Sequence, residues 1–333
     1  MKNIRLFITI IVVIVIILMG SWLVTRINPR FSTTVALKWV NQAQFAGMYV
    51  ANEKKYYRNA GLTVTFKEFN FQTNPIDYLK NGIADFVLMS PEEFMIHVNN
   101  GEDVYAVAEF FQISPYAFVS LKEKNIKTPA DFQYKILGVK GKKIEQELAY
   151  LLLLDTFGVE KDTVDIKVLD FEKKEWNNLI DHDADVLDLY RTDQLYYFKK
   201  EGIAYNLIQP EQYEVNIGND ILVTKKSFAI QHPNIVRKFV QASVKGWQKA
   251  IENPQEAVND TMLYITDEEY KDMAYQKFIL ENSIPLIKPS TLTHIGYIDI
   301  EKFINLYKEM TEKGFITHEF NIKEFITDEF ILQ

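Results

Sequence analysis

The sequence predicts an α/β protein of two similar lobes, each built on a largely parallel sheet. A two-stranded hinge joins them, and an N-terminal transmembrane helix precedes them. Three observations carry this expectation. Apolar, β-branched runs alternate with helical patterns, the same order returns about a hundred residues later, and an almost purely apolar run opens the chain.

The opening run, residues 6–24, has 19 residues, with Lys2 and Arg5 before it and Arg26 and Arg30 after it. It is long enough to cross a bilayer and longer than the roughly 7 to 15 residues of a cleavable signal core, and no small-x-small site follows. This reads as an uncleaved membrane anchor, with residues 31–333 on the outer face; a processed signal peptide would leave the same domain. The flanking charges nearly balance and do not orient it.

After the anchor, TVALKWV (34–40) reads as a buried strand and AGMYVANEKKYYRNAG (46–61) as a helix closed by Gly61. LTVTFKEF is a second strand. NPIDYLKNG is a short helix capped by Asn74 with Pro75 in its first turn, and ADFVLMS is a third strand. Strand, helix, strand, helix, strand implies a parallel sheet with right-handed crossovers.

YKILGVKG, IEQELAYLLLLDTFG, VDIKVLDF, KKEWNNLIDHD and ADVLDLY repeat that order from residue 134 to 190. YLKNGIADFVLMS and NLIDHDADVLDLY match at Leu79/Leu179, Ala84/Ala184 and Asp85/Asp185. Such matches suggest equivalent architecture, because each segment is a helix stop followed by a buried strand. Between the repeats, residues 106–132 hold two strand-like pieces and a turn of helix with Thr128 at its N-cap, Pro129 next and Asp131 two residues further. NDILVTKKSF then returns the chain to the first lobe, and from His232 the pattern is helical. The expected organisation is an anchor at 1–30, lobe one at 31–120, lobe two at 121–222, and a helical return to lobe one at 223–333. Crossings near 117–122 and 219–224 would form the hinge.

Composition narrows function by exclusion. The chain has 333 residues, 47% of them hydrophobic and 25% charged, which suits a folded two-domain protein. Cysteine is absent, which removes disulfides, thiolate metal sites and cysteine nucleophiles. The first thirty residues hold four bases and no acid, so a net charge of −8 leaves −12 on the remainder. That acidity argues against nucleic acid and anionic lipid as partners. The five histidines lack ligand spacing, and Asp181, Asp183 and Asp185 lack the glycine and distal glutamate of a calcium loop. There is no GxSxG turn and no P-loop.

In open parallel sheets, ligands sit beyond the carboxyl ends of the strands. That rule selects Trp39, Asn41, Gln42 and Gln44 after the first strand, Met89 and Ser90 after the third, and Gln112 after FF. In the second repeat it selects Gly138, Lys140 and Gly141, then Asp188 and Tyr190, with Asn219 and Asp220 on the return strand. Trp39 offers a flat face for stacking and the three amides suit ring nitrogens; the alternative is a core indole with solvated amides. Ser90 opens SPEEF, a capping box in which Glu93 is the partner. Gly138 to Gly141 around Lys140 resembles a tight turn, whose alternative is simply an exposed lysine. Asp188 interrupts an apolar strand and suits an amino group, unless it lies past the edge of the sheet.

KWVNQAQFAGMYVANEKKYYRNAGLTV, IADFVLMSPEE, FFQISPYAFVSLKEKNIKTPADF and PNIVRKFVQASVKGWQKAIENPQEAV resemble the NMT1/THI5-like, SsuA-related solute-binding family, from residue 33 to about 260. The resemblance implies a two-lobed periplasmic-binding-protein fold of type II. Such proteins capture a thiamine pyrimidine precursor, or in related branches a sulfonate, for ABC import. Trp39 matches the family's stacking tryptophan, and Gly138 to Gly141 its ligand-facing turn. Other branches are pyrimidine synthases using pyridoxal phosphate, a histidine and iron. Met89 and Glu93 stand where those carry their lysine and histidine, and the cysteine-rich iron motif is missing. No cofactor, metal or synthase activity is therefore expected. The implied partners are a small aminopyrimidine-like ligand and an ABC permease. The C-terminal stretch PSTLTHIGYIDIEKFINLYKEMTEKGFI also resembles sensory input domains, which makes a membrane sensor the other partner.

Overall fold

The structure, a computed structural model, describes residues 30–139, 144–169, 175–215, 219–291 and 294–331. The expected anchor at 6–24, Lys140 and Gly141 lie outside them. Among the described residues no helix is long and apolar enough to cross a membrane.

Among the described residues ten strands form two five-stranded sheets. The first contains β1 (Phe31–Ala36), β2 (Leu62–Lys67), β3 (Phe86–Met89), β4 (Tyr105–Phe111) and β10 (Asn219–Thr224), in the order β2-β1-β3-β10-β4. The second contains β5 (Tyr116–Leu121), β6 (Ile136–Val139), β7 (Asp165–Val168), β8 (Val186–Tyr190) and β9 (Tyr205–Ile208), in the order β7-β6-β8-β5-β9. In both, a parallel trio (β2-β1-β3, β7-β6-β8) carries one strand inserted antiparallel beside it, β10 or β5. β3, β5 and β10 are buried at every residue, as strands covered on both faces must be.

The repeat has a physical counterpart. Asp85 Oδ2 accepts from the Thr34 N–H at 2.9 Å, and Asp185 Oδ2 accepts from the Ile136 N–H at 3.1 Å. Each aspartate thus ties the entry of one strand to the neighbouring parallel strand.

Two expectations are corrected. Residues 117–122 and 219–224 do not pair as a hinge: β5 is interior to the second sheet and β10 to the first. Both strands are buried at every residue between neighbours on either side, and the crossings fall in residues 112–115 and between Ile208 and Asn219. The helix expected over 46–61 breaks at Lys55, whose φ of 62° is left-handed, into Ala46–Glu53 and Tyr56–Asn59.

The C-terminal helices cover the first sheet. Helix Pro233–Glu252 packs on Ala46–Glu53 across a glycine contact: a Cβ on Gly246 would stand 2.0 Å from the Gly47 carbonyl oxygen, and one on Gly47 would stand 2.1 Å from the Trp247 ring. This close approach fixes the helix that carries the loop after β1. On the other face, helix Ile300–Glu312 sets Phe303 edge-on to Phe94 at 6.5 Å.

Candidate functional site

The carboxyl ends of β1, β3 and β4 and the start of β10 share one edge of the first sheet, because β10 is antiparallel and pairs Asn219 with Phe111 and Ile221 with Met89. In the second sheet, the end of β8 meets the start of β5 through the pair Tyr116 and Tyr190. Residues 112–115 join the two edges directly, so they face each other.

On the first edge the loop after β1 builds a polar network. Lys38 Nζ lies 3.0 Å from Asp220 Oδ1 and also donates to Asn219 Oδ1. Gln44 Nε2 donates to both Asp220 oxygens at 2.9 Å, and Gln42 Nε2 donates to Gln44 Oε1 at 3.0 Å. Asn219, Asp220, Gln42 and Gln44 are all buried. Asp220 holds a left-handed φ of 48°, a conformation that persists only when its surroundings hold it in place. Nearby, Asn41 accepts the Tyr49 hydroxyl at 2.6 Å, its backbone N–H donates to Glu68 at 2.6 Å, and the Ala43 N–H donates to Gln276 at 2.7 Å. Burial holds the Tyr49 hydroxyl protonated far above its ordinary range.

Trp39 sits half-buried at the rim. Its indole lies nearly parallel to Phe69, with centroids 5.8 Å apart at 20°, and edge-on to the exposed Phe71 at 5.2 Å. The opposing lobe answers with Tyr190, whose ring carries Lys38 Nζ 5.6 Å from its centroid. Asp188 is buried and accepts from Tyr116 Oη at 3.2 Å. Further contacts join the lobes: Tyr275 donates to Asp193, and Tyr196 donates to Asp272 at 3.1 Å. Around them Tyr197 stacks on Trp176 at 5.3 Å and lies 5.2 Å from Tyr275. Burial first, and the Asp193 charge second, push the Tyr197 hydroxyl up to about 12.

The expected residues therefore divide. Trp39, Gln42, Gln44, Asn219 and Asp220 gather on one edge, while Tyr190 and Asp188 lie on the other. Asn41 is used in holding Tyr49. Met89 belongs to the hydrophobic core, and the Ser90 hydroxyl accepts from the Glu93 N–H as a helix cap. Gln112 donates to the carbonyls of Glu109 and Tyr297 at 2.9 and 2.8 Å, tying down the 294–298 segment. Gly138 is a packing residue within β6 and not part of a turn. Its added Cβ would meet Leu169 at 2.4 Å and Leu187 at 2.7 Å.

Sequence reasoning missed Lys38, Gln276, Asp193 and Tyr275. Lys38 had a signal, since a lysine inside an apolar strand run must find a partner. Among the described residues no group of three histidines, aspartates or glutamates is arranged to hold a metal.

Two α/β lobes joined at facing strand ends define the periplasmic-binding-protein class of fold. Within it, the chain belongs to the family described as NMT1/THI5 like, whose model matches residues 42–257. It is 24% identical over 304 residues to the riboflavin-binding protein RibY of Chloroflexus aurantiacus, covering 90% of this chain and 85% of that protein. It is 22% identical over 255 residues to the formylaminopyrimidine-binding protein of Halalkalibacterium halodurans, covering 76% of each. The periplasmic aliphatic sulphonate binding protein SsuA of Escherichia coli shares the fold with a TM-score of 0.67 at 12% identity, over 89% of this chain and 97% of that one.

Proposed function

We propose that this chain is the solute-capturing component of an ABC-type import system, held to the outer face of the membrane by residues 6–24, and that its ligand is a small heterocycle with a pyrimidine ring. A thiamine pyrimidine precursor is the particular ligand put forward. The first sheet with its helices, residues 31–111 and 219–331, forms one jaw and the second, residues 116–208, the other, closing on the ligand without transforming it. The observation that carries the reading is the pairing of a neutral amide network (Gln42, Gln44, Asn219) on one edge with aromatic rings on both, Trp39 and Tyr190. Flat faces stack on rings and amides complement ring nitrogens, whereas an oxoanion asks for unpaired positive charge. The lysine at this edge is paired with Asp220. The two curated relatives support the same chemistry, because riboflavin and formylaminopyrimidine both contain a pyrimidine ring.

Isothermal titration of the purified full-length chain tests this. Saturable heat is expected with 4-amino-5-hydroxymethyl-2-methylpyrimidine or riboflavin, and none with taurine or methanesulfonate. No heat with either heterocycle, together with an unaltered melting temperature, overturns the ligand assignment. Saturable binding of a sulfonate would replace it.

A further inference from the structure

The buried network on the first edge has two loose ends, and chemistry dictates their polarity. Asp220 can only accept, so Gln44 must turn its Nε2 toward it, at 2.9 Å from both oxygens. That leaves Gln44 Oε1 facing Gln42, which must in turn present its Nε2, at 3.0 Å. The free end of this relay is Gln42 Oε1, an acceptor, which is buried with no hydrogen-bond partner among the described residues. On the other side Lys38 can only donate, and it donates to Asn219 Oδ1, which also accepts from the Asp220 N–H at 3.0 Å. The free end there is Asn219 Nδ2, a donor, equally buried and equally without a partner among the described residues. Gln42 is 2% exposed and Asn219 1%, so neither end is turned to bulk solvent. Buried polar groups without partners are rare, and each carries a desolvation penalty that a bound partner removes.

We infer that Gln42 Oε1 and Asn219 Nδ2 are the specificity-determining atoms of the site, the first receiving an N–H of the ligand and the second donating to a ring nitrogen or carbonyl, with Asp220 and Lys38 as positioning residues that hold both amides in that orientation. This rests on the heterocycle reading and sharpens it to a neutral ligand bearing at least one donor and one acceptor. A sulfonate, which offers acceptors alone, satisfies Asn219 and leaves Gln42 buried and unpaired.

The test compares two probes on the full-length chain in detergent: 4-amino-5-hydroxymethyl-2-methylpyrimidine and its 4-deamino analogue. The wild type is expected to prefer the amino compound by about tenfold or more, since a site that hydrogen-bonds an N–H discriminates against the analogue lacking it. Gln42→Met keeps side-chain length and removes the acceptor, and should bring the preference close to one. Asp220→Asn leaves an amide that can face Gln44 either way, so the relay loses its direction and the preference falls, whatever happens to melting temperature. A purely structural role predicts that both variants weaken the two probes by the same factor, and that result overturns the inference. Binding by the wild type without preference also overturns it and leaves the heterocycle reading standing; binding of neither probe overturns it too, and if riboflavin also fails to bind, the heterocycle reading falls with it.

Discussion

The hydroxyl of Tyr196 donates to the carboxylate of Asp272 at 3.1 Å, joining the segment after β8 to the first turn of helix Met273–Ile287. The same aspartate is that helix's N-cap, accepting from the N–H groups of Ala274 at 2.8 Å and Tyr275 at 3.3 Å. One side chain therefore starts a helix of the first lobe and holds the second lobe against it.

Substitution separates the two roles. Asp272→Ala should cost about 1 kcal/mol through the lost cap and also release the inter-lobe bond. Tyr196→Phe should remove only the bond, changing stability by less than about 1 kcal/mol because the pair is partly exposed. Small-angle scattering of the unliganded chain should show a larger radius of gyration for both, while denaturant melts shift for Asp272→Ala alone.

Gly246→Ala should destabilise by about 1 to 3 kcal/mol, the usual range for overpacking. The added methyl would press on the Gly47 carbonyl at 2.0 Å, in the helix that follows the Gln42–Gln44 loop. Urea unfolding measures the loss, and heterocycle affinity should fall with it. Unchanged unfolding would mean that the two helices separate without cost.

Glu109 is fully buried in β4 and paired with Lys302, leaving its second carboxylate oxygen without a hydrogen bond. Burial outweighs the lysine and pushes its pKa from 4.5 up to about 7. Because the folded state holds this proton more tightly than the unfolded chain does, its contribution is greatest below about pH 4.5 and declines as pH rises through about 7. Relative to Glu109→Gln, the wild type should lose up to about 1.4 kcal/mol per pH unit across that window, the limit for a single proton. Parallel stability profiles for the two proteins from pH 4.5 to 8 would contradict the assignment.

Trp39→Leu should weaken heterocycle binding by about 1 kcal/mol, the range of an aromatic stacking contact, and leave stability nearly unchanged because the indole is only half-buried at the rim. Titration calorimetry and a melting curve on one preparation settle it. A large drop in melting temperature with unchanged affinity would make Trp39 a packing residue for Phe69 and Phe71.

Features governed by neighbours in the chain were legible from residues alone. Ser90, Asn74 and Thr128 cap where a short polar side chain precedes proline, since the hydrogen bond they make reaches only two or three residues ahead. The buried run FVLM announced an interior strand through continuous hydrophobicity, whereas NDILVT was legible as a strand but not as an interior one. The Asp85 and Asp185 correspondence was visible as a repeat, and both residues perform the same strand-entry bond. The edge strand β9 escaped notice because Tyr205–Ile208 is only four residues long and alternates in burial.

What the sequence determined by itself was the alternation of elements, the doubled α/β plan, and the strand ends where polar residues cluster, because these depend on hydropathy period and local backbone chemistry. Only the tertiary structure decided which polar residues act together. Gln44 and Asp220 are 176 positions apart and meet because β10 inserts antiparallel between β3 and β4, bringing its first residues to the end where β1 delivers its loop. That insertion is a choice among strand partners made by the packed sheet as a whole, and no local pattern encodes it.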